Sequence, residues 1–346
     1  MVVRVRGYAL PHGEYVDLYA DGDRWTTDPV AAAELVAEGW LVPGLVDAHT
    51  HPGAENPGDP LDESMLRKHL HEHLDAGVTA IRSPGLAGEP PPWFGVAPDA
   101  PRAWHAGPWL AQHGQFFFGW GHRPGLDKLA ETAAAQARRT GWAKIIADWG
   151  IGDTVIPVDV LRAAVDAVHA VGGRLAVHTQ QAAGGAIAVA AGVDSVEHGM
   201  CLDPALLNDM AARDMVLTPT LSVIEASLAR TRDRPDNPGK RWYVEGASAH
   251  PALAAAAAEA GVTVLAGTDS LPHGRIIDEV RALAAAGLRP HDALGAASWS
   301  ARAYLGLPGL EAGAPADAVI YESDPRLDLR QLAHPLAVIL RGNRVR

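Results

Sequence analysis

The chain repeats one unit. Between about residues 44 and 306, a short apolar run ends in a polar residue, a loop follows, and an Ala-rich helical stretch comes next. The apolar runs that read as strands are Leu45–His49, Val78–Arg82, Ala103–Leu110, Ala143–Ala147, Arg174–His178, Ser195–His198, Met215–Pro219 and Thr263–Thr268. Helical spacing fills most of the intervals, as in Asp159–Val171, Ala182–Ala191, Pro204–Arg213 and Pro251–Ala260. A glycine or a short polar break follows each of these four, a usual helix stop. Eight strands alternating with helices predict an α/β fold whose parallel strands close into a (β/α)8 TIM barrel. An open doubly wound sheet is the alternative. No Gly-rich phosphate loop follows the first strand, which argues against it.

The two ends of the chain lack this rhythm. Residues 1–43 hold short β-like pieces, Val2–Arg6 and Tyr15–Tyr19, with helical spacing only near Ala31–Ala37. Residues 307–346 hold Ala316–Tyr321 and Leu336–Leu340, again strand-like. The expected organisation is a catalytic barrel over 44–306 and a small β-rich flanking domain built from 1–43 and 307–346. The N-terminal strand region is short, so that flanking domain is expected to be reduced.

Composition bounds the chemistry. The chain has 346 residues, 48% hydrophobic and 20% charged, enough for a sizeable core and unlike a disordered segment. Its 29 Lys and Arg against 41 Asp and Glu give a net charge of −12. That balance argues against nucleic acid and anionic membrane as partners and leaves a small-molecule substrate. Homo-oligomerisation stays open. The start of the chain has no apolar core of signal-peptide length, and no run approaches the ~18–20 apolar residues of a membrane span, so a soluble, cytoplasmic protein is expected. The single cysteine, Cys201, cannot form an internal disulfide, and no catalytic base or orienting partner is visible for it. With 16 histidines in the chain, any metal would be held by imidazole and carboxylate.

The first strand ends Val46-Asp47-Ala48-His49-Thr50-His51. Residues i and i+2 of a strand point to the same side, so His49 and His51 can grip one ion. His178, His198 and Asp269 end three further apolar runs. In a parallel barrel all strand carboxyl ends open on one face, and these five side chains converge there. They suit the N/O ligand preference of zinc and leave room for a water. Any one of the histidines alone would read as a satisfied core or loop residue. Lys144 lies inside the apolar run Trp142–Ala147. A desolvated lysine can react with carbon dioxide to give a carbamate, an anionic ligand able to bridge two metals about 3.5–4 Å apart. The other reading is a snorkelling ammonium that pairs with Asp148 or reaches solvent.

Here the sequence resembles a known family. The segment Pro43-Gly44-Leu45-Val46-Asp47-Ala48-His49-Thr50-His51 is similar to the opening signature of the amidohydrolase superfamily. Lys144 in Ala-Lys-Ile, His178 in Val-His-Thr, Glu197-His198-Gly199, Pro219-Thr220-Leu221 and Gly267-Thr268-Asp269-Ser270 follow in the family's order. Gly77-Val78-Thr79-Ala80-Ile81-Arg82 and Ala314-Pro315-Ala316-Asp317-Ala318-Val319 match further landmarks, so the resemblance covers nearly the whole chain. Within the superfamily, the lysine and the Glu-His-Gly resemble the prolidase and zinc carboxypeptidase-like branch, related to the imidazolonepropionases. The resemblance implies a (β/α)8 barrel with two divalent metal ions, zinc being the superfamily expectation. By position, His49, His51 and Asp269 would hold one metal and His178 and His198 the other. Carboxylated Lys144 and a hydroxide would bridge them. Asp269 would also take a proton from the attacking water and pass it to the leaving amine. The superfamily usually carries a substrate-contacting histidine after the third strand. Both His113 and His122 stand there, and His122 keeps the Gly-x-Gly-His shape.

Aromatics gather in the loops after the second to fourth strands: Trp93, Phe94, Phe116, Phe117, Phe118, Trp120 and Trp149. Phe117 and Trp120 are candidate substrate contacts, with lid packing as the other reading. The segment after the seventh strand reads as a long polar loop with Arg230, Arg232, Arg234, Lys240 and Arg241. Arg230 and Tyr243 are candidates for a substrate carboxylate. His69 and His73 share a helix face over Leu61–Ala76 and read as surface or helix-packing residues remote from the strand ends. The expected activity is metal-dependent hydrolysis of an amide or peptide-like C–N bond, in an N-acyl amino acid or a dipeptide with a hydrophobic group. Esters, lactones and organophosphates are the alternative substrates for the same hydroxide. Deamination is disfavoured, because Thr179-Gln180-Gln181 lacks a glutamate for proton transfer. A non-catalytic, metal-stabilised binding protein is the reading from another class, and the presence of Asp269 weighs against it.

Overall fold

A computed structural model describes residues 2–346. The chain opens with β1 (Val2–Ala9), β2 (Glu14–Asp21), β3 (Arg24–Thr26) and β4 (Ala33–Pro43). Three parallel strands follow: β5 (Leu45–Asp47), β6 (Val78–Ser83) and β7 (Arg102–His105). Five more parallel strands form a second sheet: β8 (Trp142–Ile146), β9 (Arg174–Thr179), β10 (Ser195–His198), β11 (Val216–Thr218) and β12 (Thr263–Val264). The chain closes with β13 (Ala318–Tyr321), β14 (Ala337–Leu340) and β15 (Asn343–Arg344).

All eight internal strands coincide with runs read from the sequence. The third and the eighth are much shorter than expected: β7 stops at His105, where the chain turns through Gly107, and β12 stops at Val264 rather than Thr268. Leu110 resumes pairing on its own, donating to the Lys144 carbonyl at 2.9 Å and accepting from Ile146 N at 2.8 Å. On the other side, Ala48 N reaches Ala266 O and Asp269 N reaches His49 O, each at 2.8 Å. Hydrogen bonds therefore tie both margins of the three-stranded sheet to the five-stranded one.

The helices between these strands follow the expected spacing. In Val158–His169 the buried residues are Leu161, Ala164, Val165 and Val168, one stripe against the strands. The segment after β11 departs from expectation. It is mostly helical: Leu221–Arg232 and then Pro238–Glu259, joined by a short link. Leu221, Ile224 and Leu228 supply the buried face that the charged residues mask in sequence. Asn237 caps the second helix and Pro238 occupies its first turn, so this helix starts well before the predicted Pro251.

The chain ends meet in one seven-stranded sheet, ordered β15-β14-β13-β4-β1-β2-β3. The stretch near Ala31–Ala37, helical by spacing, lies mostly in β4. It pairs in parallel with β1 and antiparallel with β13, and this pairing overrides the preference of an alanine-rich segment. Val3, Val5, Leu18, Trp25, Leu41, Ile320 and Ile339 form the sheet's own buried cluster. Among the described residues, no helix is long and apolar enough to cross a membrane.

Candidate metal centre

The site is built where β5, β10 and the segment after β12 end side by side. Asp47 staples two of these ends. Its Oδ1 accepts from His49 N at 3.1 Å and Thr268 N at 3.0 Å, and its Oδ2 accepts from the Thr268 hydroxyl at 2.6 Å. Gly267 permits this closeness: a Cβ there would lie 2.4 Å from His49 Cβ and 2.6 Å from Thr218 Cγ2.

His49 Nδ1 donates to Glu197 Oε2 at 2.6 Å, and His51 Nδ1 donates to the Gly85 carbonyl at 2.7 Å. These acceptors fix the protons on Nδ1 and leave both Nε2 lone pairs free. The two Nε2 atoms face each other at 3.1 Å. Asp269 Oδ1 stands 3.3 Å from His51 Nε2 and 4.0 Å from His49 Nε2. Burial lowers His49 to about 4 and holds His51 well below its ordinary value, so neither imidazole supplies an extra proton at neutral pH. Two lone pairs and a carboxylate aimed at one small volume repel one another unless a cation lies among them. The donor set therefore fits a divalent metal.

The second part of the site is less complete. His198 Nδ1 is bonded to the Thr220 hydroxyl at 2.8 Å, and its Nε2 is 4.0 Å from Asp269 Oδ2. The His178 and His198 rings stand 4.6 Å apart. His178 Nε2 and Lys144 Nζ are buried without a hydrogen-bond partner. Asp148 does not neutralise Lys144. Its two oxygens accept from Gln180 N and Gln181 N instead, at 2.8 and 3.2 Å. Burial lowers the Lys144 amine to about 8 and raises the Asp269 carboxyl to about 7. Both shifts bring chemistry within reach of neutral pH. His49, His51 and Asp269 form one compact group, with His178 and His198 outside it.

The rim residues divide. Trp120 and Phe117 pack together at 5.7 Å in an aromatic cluster that reaches the site. Phe94 belongs instead to the main core, and Trp93 packs under Arg67. His113 and His122 are both exposed and stand outside the compact group. The His122 backbone pairs with Trp109 and Ala111. Arg230 is exposed on the helix Leu221–Arg232, and Tyr243 packs beside Trp242 on the next helix. The histidines of the first helix, Glu63–Asp75, are not remote from the strand ends. His73 is fully buried, and its Nε2 is 3.1 Å from Thr50 Oγ1, between the two strand-end histidines. The loop after β5 folds back onto that helix, a long-range contact that helical spacing does not contain.

Sequence reasoning gave no role to Glu197 or Arg82. Burial pushes the Glu197 carboxyl up, but the Arg82 and Lys144 charges outweigh this and hold it well below the usual carboxylate range. The Arg82 guanidinium is buried and donates to Ala48 O, Ser195 Oγ, Thr218 Oγ1 and both Glu197 oxygens, at 2.7 to 3.1 Å. The available signal was an ionisable residue in each of two apolar strands, which calls for a partner. Glu279 was also missed. It is buried on the helix Ile276–Ala286 and caps Leu221 N and Ser222 N at 2.8 and 2.7 Å, next to the residue that holds His198.

Parallel strands that gather imidazoles and a carboxylate at their carboxyl ends fit the α/β enzymes that place their chemistry on that face. Residues 40–345 match the amidohydrolase family, and the chain belongs to it. It is 38% identical over 371 residues to an uncharacterized protein of Mycobacterium tuberculosis, covering 98% of this chain and 95% of that one. It is 30% identical over 167 residues to an ochratoxinase of Aspergillus niger, covering 46% of this chain and 35% of that one. A solved prolidase complexed with N-methylphosphonate-L-proline matches the whole of both chains, with a TM-score of 0.84 at 23% identity. An Xaa-Pro dipeptidase shares the fold, with a TM-score of 0.82 at 20% identity, and a putative prolidase from Bifidobacterium longum, 25% identical with a TM-score of 0.82 over 99% of this chain and 94% of that one, agrees with the prolidase-like branch.

Proposed function

We propose that the protein is a metal-dependent hydrolase of an amide or peptide-like C–N bond, in an N-acyl amino acid or a dipeptide with a hydrophobic group. The observation that carries this reading is the convergence of His49 Nε2, His51 Nε2 and Asp269 Oδ1 on one small volume. The eight parallel strands are taken as one (β/α)8 barrel over 44–306, supported by the hydrogen bonds at Leu110 and Ala48. Residues 1–43 and 307–346 are taken as the flanking β-rich domain, supported by their common sheet.

His49, His51 and Asp269 would hold one divalent ion, and His178, His198 and a carbamate on Lys144 would complete a second position. The orphaned nitrogens of His178 and Lys144 support that completion. When bound, the ions, zinc by expectation, supply Lewis acidity to the carbonyl and to the attacking water. Asp269 Oδ1 accepts the proton of that water and delivers it to the nitrogen of the leaving amine. Its raised carboxyl suits a group that must both take and give a proton near neutrality.

The test is hydrolysis of N-acyl amino acids and dipeptides, with matched esters and lactones alongside. The Asp269→Asn variant is expected to lose about 10²–10⁴ in kcat/KM through loss of the proton carrier. Cleavage of the esters or lactones alone, with amides untouched, would overturn the amide reading.

A further inference from the structure

Five aromatic side chains make one continuous wall beside the candidate centre. Trp109 lies 5.0 Å from the His51 ring and stacks on Trp120 at 5.0 Å and 16°. Trp149 lies 5.2 Å from the His178 ring. Phe116 joins the two, 5.1 Å from Trp149 and 5.2 Å from Trp109. Phe117 adds contacts to Trp149 at 4.9 Å and to Trp120 at 5.7 Å. The wall therefore runs unbroken from one strand-end imidazole to another.

This wall is more than an extension of the core. Trp109 and Trp120 are buried in a small cluster of their own, with Ala54, Ala111 and Ile146. In front of them Phe116 and Trp149 are half-buried and Phe117 is 37% exposed. The arrangement has a buried back and a partly exposed front. The loop that carries it is tied down through its backbone. Arg123 donates to the carbonyls of Gln115, Phe117 and Trp120 at 2.5 to 3.0 Å. Gln112 and Gln115 both donate to Thr154 O, and Trp120 Nε1 donates to Asp59 O. Phe116 is held at φ 64°, a left-handed conformation that a bulky residue adopts at a cost. That strain places the Phe116 ring between Trp109 and Trp149. The wall itself contributes no charged side chain.

We propose that this wall is a subsite for a planar aromatic group of the substrate, adjacent to the scissile amide. Phe117 and Trp149 contact the group, and Trp109 and Trp120 back them. Offset and edge-to-face packing favours an aromatic ring over a saturated ring of the same size. The position of the scissile bond rests on the amide-hydrolase reading above; the aromatic preference of the wall does not.

The experiment compares N-benzoylglycine with N-(cyclohexanecarbonyl)glycine, binding each by calorimetry to the chelator-treated protein, which keeps Asp269 and every other side chain of the centre while metal-dependent turnover is stopped. The benzoyl compound is expected to bind about 2- to 10-fold more tightly, the range that aromatic packing provides beyond area. Adding Phe117→Leu or Trp149→Leu is expected to bring the ratio close to unity. Adding Phe118→Leu, whose side chain is 97% exposed outside the wall, is expected to leave it unchanged. If Trp149→Leu does not fold, Phe117→Leu carries the test alone. A ratio near unity in the parent, a ratio that survives the Phe117 change, or no binding of either compound overturns the subsite. Failure of the amide reading looks different: selective binding of the benzoyl compound, with no cleavage of either by the wild-type protein. Cleavage of both with equal specificity sinks the subsite and leaves the amide reading standing.

Discussion

Around His49 and His51 each outer nitrogen has an acceptor, Glu197 Oε2 at 2.6 Å and Gly85 O at 2.7 Å. Around Lys144 and His178 two buried nitrogens have none. The first pair is oriented by the protein alone, and its lone pairs are aimed before anything binds. The second group carries an open demand, because a buried amine without a partner is costly. The contrast teaches which part of the centre the fold preorganises and which part needs a further ligand to be complete.

The sharpest way to break this contrast is Lys144→Met. If carbon dioxide and metal satisfy the amine, metal content by elemental analysis falls from about two per chain to one or none, with bicarbonate present throughout. In the metal-free protein the same change is neutral or stabilising, by about 1–4 kcal/mol, because an unpaired buried charge is gone. Equal metal content in both proteins removes Lys144 from the centre.

Glu279 offers the next largest effect. Burial raises its carboxyl to about 7 from an ordinary 4.5. Its contribution to stability is complete below the ordinary value and is lost as pH rises through the raised one. Glu279→Gln removes this titration. Relative to the variant, the wild type is expected to lose up to about 3 kcal/mol of unfolding free energy between those two pH values. Parallel stability profiles for the two proteins would show that the helix amides it caps fully solvate its charge.

Glu197→Gln loosens the preorganised half. Loss of the charged acceptor on His49 Nδ1 is expected to weaken metal binding about 10- to 100-fold, measured by chelator competition. Unchanged affinity would mean that the backbone alone orients His49. Thr220→Val is the mildest change. It removes one hydrogen bond to His198, about 1 kcal/mol, and is expected to weaken the second metal by less than tenfold. An effect on the first metal as large as on the second would erase the distinction between the halves.

The strands were legible because each apolar run is short and ends in a polar residue, so His49, His178 and His198 could be placed at or just past strand ends, whereas Asp269 lies in the segment that continues beyond β12. The helices after β11 were not. Arg230, Arg232, Arg234, Lys240 and Arg241 gave the segment a polar look, and only three buried apolar residues, Leu221, Ile224 and Leu228, marked the inner face of the first helix. His73 was misplaced because its partner, Thr50, is 23 residues away and lies on a loop whose return path no local pattern encodes. Glu197 was visible as a motif letter but not as the partner of His49, 148 residues distant. Periodicity reports which face a residue takes; it does not report what comes to meet that face.

The sheet at the chain ends has a consequence for how the molecule is assembled. β4 pairs on one side with β1, close in sequence, and on the other with β13, which begins at Ala318. During synthesis the Trp40–Pro43 edge therefore emerges early and stays open until Ala318–Tyr321 has been made. An open strand edge is a template for pairing with another chain. Ala318–Tyr321 are thus a late closing seal for Trp40–Pro43, and a chain cut short before Ala318 would carry that edge, unsealed, into solution.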